Sequence, residues 1–157
     1  MIDPNSVRKE LVVDAPQAIA WRVFTERIGT WWPLAHYKIG KVSAVDAVIE
    51  GRVGGYWYER GEDGSTCKWG SVVAWEPPSR LVLTWDINAS WQYDPALGTE
   101  IEVRFIAEGN RTRVTLVHSK LDRYGADRDR MRRIFDTEGD WGRLLEMFAG
   151  VAVAERG

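Results

Sequence analysis

Cysteine is nearly absent from this chain: its 157 residues hold one, Cys67. No internal disulfide can form, so stability has to come from packing and no oxidising compartment is implied. Such a lone thiol reads first as a buried apolar group, with a reactive nucleophile as the alternative. Histidine is scarce as well, and His36, His118 and Cys67 show none of the short spacings of zinc or iron sites, so no metal is expected. No stretch approaches the roughly 20 consecutive apolar residues of a membrane-spanning helix, so no membrane partner is expected. An excess of either charge is also missing. The net charge of −2 gives no long-range attraction for nucleic acid or anionic lipid. The densest basic stretch, Arg123 to Arg133, interleaves Arg128, Arg130, Arg132 and Arg133 with Asp122, Asp127 and Asp129, and reads as a solvated helix face. Met1 to Ser6 is polar and lacks the basic segment and apolar run of a secretory signal, which points to the cytoplasm. A Gly-x-Ser-x-Gly elbow, a phosphate-cradling glycine loop and a dinucleotide fingerprint are all missing, so hydrolase, kinase and nicotinamide chemistry lack support and no cofactor is expected.

What the chain has is the balance of a folded protein, 45% hydrophobic and 28% charged, at a length suited to one core. One domain over residues 1–157 is expected. It also has nine tryptophans, each a large flat ring whose N–H wants a partner when buried.

Residues Val7 to Val13 alternate as a strand. Asp14 and Pro16 supply helix-start chemistry, and Ile19, Ala20, Val23 and Phe24 form a helical stripe running to about Arg27. Gly29 and Pro33 break it, with Thr30, Trp31 and Trp32 in a short second turn. Six strands follow, over Lys41 to Ile49, Gly55 to Arg60, Lys68 to Trp75, Arg80 to Asp86, Thr99 to Ala107 and Thr112 to Ser119. Their separators are short enough for antiparallel hairpins, except Asn88 to Gly98, which with Trp91, Tyr93 and Pro95 reads as an ordered loop over a pocket mouth. Met131, Ile134 and Phe135 indicate a helical segment, Gly139 a hinge or start point, and Thr137 with Asp140 an approximate capping box. Trp141, Leu145, Phe148 and Ala152 then mark a long amphipathic helix. The expected fold is α+β: a seven-stranded curved antiparallel sheet with two short helices, gripping a long C-terminal helix around a pocket.

Strand parity nominates the lining. Trp57 and Glu59 share one face, with Tyr56 and Tyr58 on the other. A carboxylate carried into a core needs a partner, and the alternative is a solvated edge position. Trp69, Val73 and Trp75 share a parity, as do Leu81, Leu83 and Trp85, and Ile101, Val103 and Phe105. His118 ends the core-facing row of the last strand, either as a hydrogen-bonded structural histidine at the rim or as a group that orients a ligand or moves a proton.

Gly54-Gly55-Tyr56-Trp57-Tyr58-Glu59, Trp69-Gly70-Ser71-Val72 and Trp75-Glu76-Pro77-Pro78-Ser79-Arg80-Leu81-Val82-Leu83-Thr84-Trp85 resemble the heat-shock-protein-90 ATPase activator-like family of the SRPBCC (START-like) superfamily. Thr112-Arg113-Val114-Thr115-Leu116-Val117-His118-Ser119 and Gly139-Asp140-Trp141 with Leu144 and Leu145 extend the resemblance over nearly the whole chain. It implies the helix-grip fold, in a family that includes ligand binders and cyclase-like proteins. No segment resembles the main chaperone-binding domain of the co-chaperone for which the family is named, so a chaperone partner is not expected.

The leading expectation is a protein that binds a small hydrophobic or aromatic ligand between sheet and C-terminal helix, lined by Trp57, Glu59, Trp69, Trp85, Phe105, His118, Trp141 and Leu145. The alternatives are a cyclase- or hydratase-type enzyme using Glu59 or His118 for proton transfer, and a protein-interaction role marked by an exposed apolar patch. A homodimer is left open.

Overall fold

The computed structural model describes residues 3–138 and 141–156. Seven antiparallel strands form one curled sheet: β1 (Val7–Val13), β2 (Ala44–Ile49), β3 (Tyr56–Gly61), β4 (Thr66–Glu76), β5 (Arg80–Trp85), β6 (Thr99–Glu108) and β7 (Arg111–Ser119). The spatial order β1-β7-β6-β5-β4-β3-β2 is a meander from β2 to β7, with β1 added at the far edge beside β7. Two short helices, α1 (Gln17–Thr25) and α2 (Ile28–Trp31), interrupt the chain between β1 and β2. After β7 come a 3-10 segment (Leu121–Asp127), α3 (Arg128–Arg133), a π turn (Ile134–Glu138) and α4 (Trp141–Glu155). This is the α+β helix-grip arrangement expected from the sequence. No helix among the described residues is long and apolar enough to cross a membrane.

The helix α4 lies against α1, α2 and β1. Its stripe of Trp141, Leu145, Phe148 and Ala152 is buried as its spacing predicts, and Leu144 joins it. Opposite stand the inward rows of the central strands, Leu81 and Leu83, Ile101, Val103 and Phe105, and Val114 and Leu116, all buried.

Several local expectations are corrected. Asp14 does not cap α1, whose N-cap is Pro16 without a side-chain hydrogen bond; Asp14 instead pairs with Arg156 at 2.8 Å. Of the capping box, Asp140 lies outside the described residues, as does Gly139, while the Thr137 hydroxyl donates to the Arg133 carbonyl. The arginine-rich stretch is only partly a solvated face. Arg132 donates to the Ser6 carbonyl and Arg128 to Asn5 Oδ1, fastening the N-terminal segment to α3.

The row of Trp69, Val73 and Trp75 is broken by bulges in β4. Val73 is the extra residue between the Val72–Leu83 and Ala74–Val82 pairs, and it turns outward, 45% exposed. Trp69 is itself the extra residue between the Trp57–Gly70 and Tyr58–Lys68 pairs, with its indole inward. Gly70 has no room for a side chain, because a Cβ there would stand 1.9 Å from the Thr84 carbonyl oxygen. β2 begins at Ala44 rather than Lys41, because residues 33–43 leave the sheet and form a strap along its open side.

Candidate functional site

A cavity of about 500 Å³ opens between the strap, the sheet and the start of α4. Five indoles stand around it: Trp32 just after α2, Trp69 on β4, Trp85 on β5, Trp91 on the loop of residues 86–98 and Trp141 on α4. Ile39, Ile87, Ile134, Phe135 and Leu144 complete its apolar surface, and His36, Tyr37 and Lys38 of the strap supply its polar edge. The rings brace one another, with centroids 5.1 Å apart for Trp32 and Trp69 and 5.6 Å for Trp85 and Trp141.

Most of the wall's indole N–H groups are spent inside the protein. Trp32 donates to the Tyr37 carbonyl (2.8 Å), Trp69 to Glu59 Oε1 (3.0 Å) and Trp141 to His118 Nδ1 (3.1 Å). The buried Trp85 N–H has no hydrogen-bond partner among the described residues. Trp32, Trp69 and Trp141 therefore offer the cavity hydrocarbon and π surface rather than donors.

The loop over the mouth is ordered by its own polar side chains. Asn88 Oδ1 accepts from the backbone of Ser90 and Gln92. Asp86 accepts from the Gly98 amide and the Thr84 hydroxyl, both at 2.8 Å, and burial pushes its carboxyl up. These contacts carry Trp91, 42% exposed and in the left-handed region at φ 60°, to the cavity edge.

Of the residues nominated by parity, Trp69, Trp85 and Trp141 line this cavity. Trp57 is buried behind Trp69, at 5.1 Å between centroids, and donates to the Thr84 carbonyl. Phe105 is packed against Trp21 and Phe24 at the other end of the core, and Leu145 is buried away from the cavity surface. These two belong to the filled core, where α1 side chains pack against the sheet's inner rows.

His118 is not at a rim but fully buried, at 0% exposure. Its Nδ1 accepts from Trp141, so the ring hydrogen sits on Nε2 and is directed at Thr99 Oγ1, 3.0 Å away. The Thr99 hydroxyl in turn donates to the Trp85 carbonyl at 2.6 Å. Burial pulls the imidazole down to about 3, so it is neutral, with both nitrogens occupied.

Glu59 is inward as its parity indicates, 2% exposed, and not a solvated edge residue. Its Oε1 accepts from the Ile39 amide (2.6 Å) and from Trp69 (3.0 Å). It borders a second cavity of about 300 Å³, with Gly40, Gly61, Ser65 and Cys67. Burial, reinforced by Glu59, pushes the Cys67 thiol up, which keeps it a poor nucleophile. Among the described residues no group of three or more His, Cys, Asp or Glu side chains could hold a metal ion.

Sequence reasoning missed the strap residues His36 to Ile39 and the wall residues Trp32, Ile87, Ile134, Phe135 and Leu144 as lining. Periodicity is silent in a strap with no repeating structure, and Leu144 is adjacent to the stripe position that was chosen instead.

The family model of the activator of Hsp90 ATPase homolog 1-like protein matches residues 14–152. The chain belongs to this family. Among solved structures, this family member is similar to an anthrahydroquino-gamma-pyrone synthase, Txn09, complexed with SUM, at 36% identity over 96% of this chain and 99% of that one, with a TM-score of 0.65. It is similar to the self-sacrificing resistance protein CalC from Micromonospora echinospora at 30% identity, covering 97% and 96% of the two chains, with a TM-score of 0.72. An AHSA1-like protein from Aeromonas hydrophila shares the fold at 17% identity, covering 96% and 93%, with a TM-score of 0.60. No curated protein matches the chain.

Proposed function

We propose that this protein binds a small, planar aromatic ligand in the indole-walled cavity. The observation that carries the reading is an open space of about 500 Å³ surrounded by five indoles, three of which direct their N–H groups into the protein. Ring surface turned toward a cavity favours stacking on a flat apolar molecule. The strap residues His36, Tyr37 and Lys38 suit one polar or acidic substituent at the mouth. Similarity at 36% to a synthase whose name includes an anthrahydroquinone-derived product supports a fused-ring ligand.

The test is a titration with anthraquinone-2-sulfonate, read by quenching of tryptophan emission and by thermal shift. Saturable quenching with a raised Tm is expected, both lost in Leu144→Trp, which fills the cavity from α4. Quenching that rises linearly without saturation, or that Leu144→Trp leaves unchanged, contradicts the reading.

A second reading, an enzyme of the cyclase or hydratase type, is favoured by the same 36% similarity to a synthase. Of the two groups nominated for proton transfer, His118 has both nitrogens engaged and Glu59 borders the other cavity. Proton transfer in the indole-walled cavity would fall to His36, Tyr37 or Lys38, which border it. Turnover of a cyclisable polyketide mimic that survives His36→Ala, Tyr37→Phe and Lys38→Ala together would rule out that assignment.

A further inference from the structure

We infer that Glu59 is the positioning residue of the indole-walled cavity, fixing one wall and the strap through a single carboxyl oxygen. The inference rests on the ligand-binding reading of that cavity and names what holds it in shape. Oε1 receives two donors from different parts of the chain, the Ile39 amide of the strap at 2.6 Å and the Trp69 indole of β4 at 3.0 Å. Neither donor has a strand to serve it. Ile39 precedes the start of β2, and Trp69 is the extra residue of a bulge, so its ring orientation is not dictated by regular pleating. A donor left unmatched in a buried position is costly, so one acceptor shared by both ties strap and wall to a common point.

The strap is shaped to reach this point. Gly40 follows Ile39, and a Cβ at Gly40 would stand 3.0 Å from Glu59 Oε2, closer than most real contacts of that kind. The Trp32 N–H bond to the Tyr37 carbonyl anchors the strap on the other side of the mouth. Glu59 borders the second cavity and not the indole-walled one. Glu59 thus acts on a ligand through Trp69 and the strap, without touching it.

Two variants separate geometry from charge. Glu59→Gln keeps a carbonyl oxygen where Oε1 stands and removes the charge, whereas Glu59→Asp keeps the charge and draws the oxygen back by one methylene. Solvent exchange of the Ile39 amide and the Trp69 indole N–H, measured by NMR without ligand, reads the positioning directly; affinity for anthraquinone-2-sulfonate reads its consequence. In Glu59→Gln both exchange rates and the affinity should stay within about threefold of the parent protein, while in Glu59→Asp exchange should accelerate and affinity fall by about tenfold. Amides of the β6–β7 pair, such as Val103 and Leu116, should remain protected in both. Loss of protection or affinity in Glu59→Gln, or retention of both in Glu59→Asp, overturns the inference. If the parent protein does not bind the probe, the ligand reading fails while the exchange rates still decide the role of Glu59.

Discussion

The two ends of the layer between sheet and α4 are built from the same kind of side chain and differ in what lies at their centre. At the closed end Trp21, Phe24, Phe105 and Phe148 meet with centroids 5.2 to 5.6 Å apart along the chain of contacts from Trp21 through Phe105 and Phe24 to Phe148. At the open end Trp32, Trp69, Trp85 and Trp141 are spaced almost alike, at 5.1 to 6.0 Å, yet they ring a cavity of about 500 Å³. Aromatic content alone does not make a pocket. At the closed end Phe24 of α1 fills the middle, in contact with Trp31, Phe105 and Phe148. At the open end α4 presents Trp141, whose N–H is held back by His118, and Leu144, which reaches only the wall.

Neighbouring leucines of α4 break this comparison most sharply, since one faces each environment. Leu145→Ala should lower the unfolding free energy by about 2–5 kcal/mol, because it opens a hole in a filled core. Leu144→Ala should cost no more than about 2 kcal/mol, since its side chain already borders empty space. Denaturant unfolding of both variants measures the difference, and equal losses would mean the open end is packed like the closed one.

The buried imidazole gives the next largest effect. The His118 value is about 3 in the folded chain against 6.5 for the free side chain, so the unfolded state binds the extra proton. Its contribution to stability is complete above pH 6.5 and should fall by about 1.4 kcal/mol per pH unit as pH drops toward 3. Unfolding curves across that range should show this component, and His118→Leu should remove it. The same variant leaves the Trp141 N–H without its acceptor, so it should also weaken ligand binding by releasing that ring.

Trp91 gives the smallest effect on stability. It is half exposed on the loop, so Trp91→Ala should change unfolding free energy by no more than about 0.5 kcal/mol. Its loss should nonetheless weaken anthraquinone-2-sulfonate binding by about tenfold, the effect of removing one stacking face. Calorimetric titration checks the second figure.

Much of this was legible before the structure. Alternation at Val7 to Val13, and beyond it short runs rich in valine, tryptophan and threonine between turn-forming residues, located every strand of the sheet to within a few residues, and the i, i+4, i+7 spacing of Trp141, Leu145 and Phe148 gave α4 and its inner face. Parity also put Trp57 and Glu59 inside together. It failed where the pleat is interrupted: a bulge in β4 turned Val73 outward. Parity separates core from solvent but cannot separate filled core from cavity wall, which is why Phe105 and Leu145 were grouped with Trp85 and Trp141. That distinction depends on which side chains fill the space between sheet and helix, and on a strap held by the Ile39–Glu59 and Trp32–Tyr37 hydrogen bonds rather than by any repeat.

The most direct test of the open end as a binding site is a map of anthraquinone-2-sulfonate on the protein by NMR, following indole N–H, methyl and backbone signals. Saturable shifts should centre on Trp69, Trp85, Trp91, Ile134, Trp141 and Leu144, with Phe105, Phe148 and Val114 unmoved. Shifts centred on the closed end, or none at saturating probe, would contradict the account.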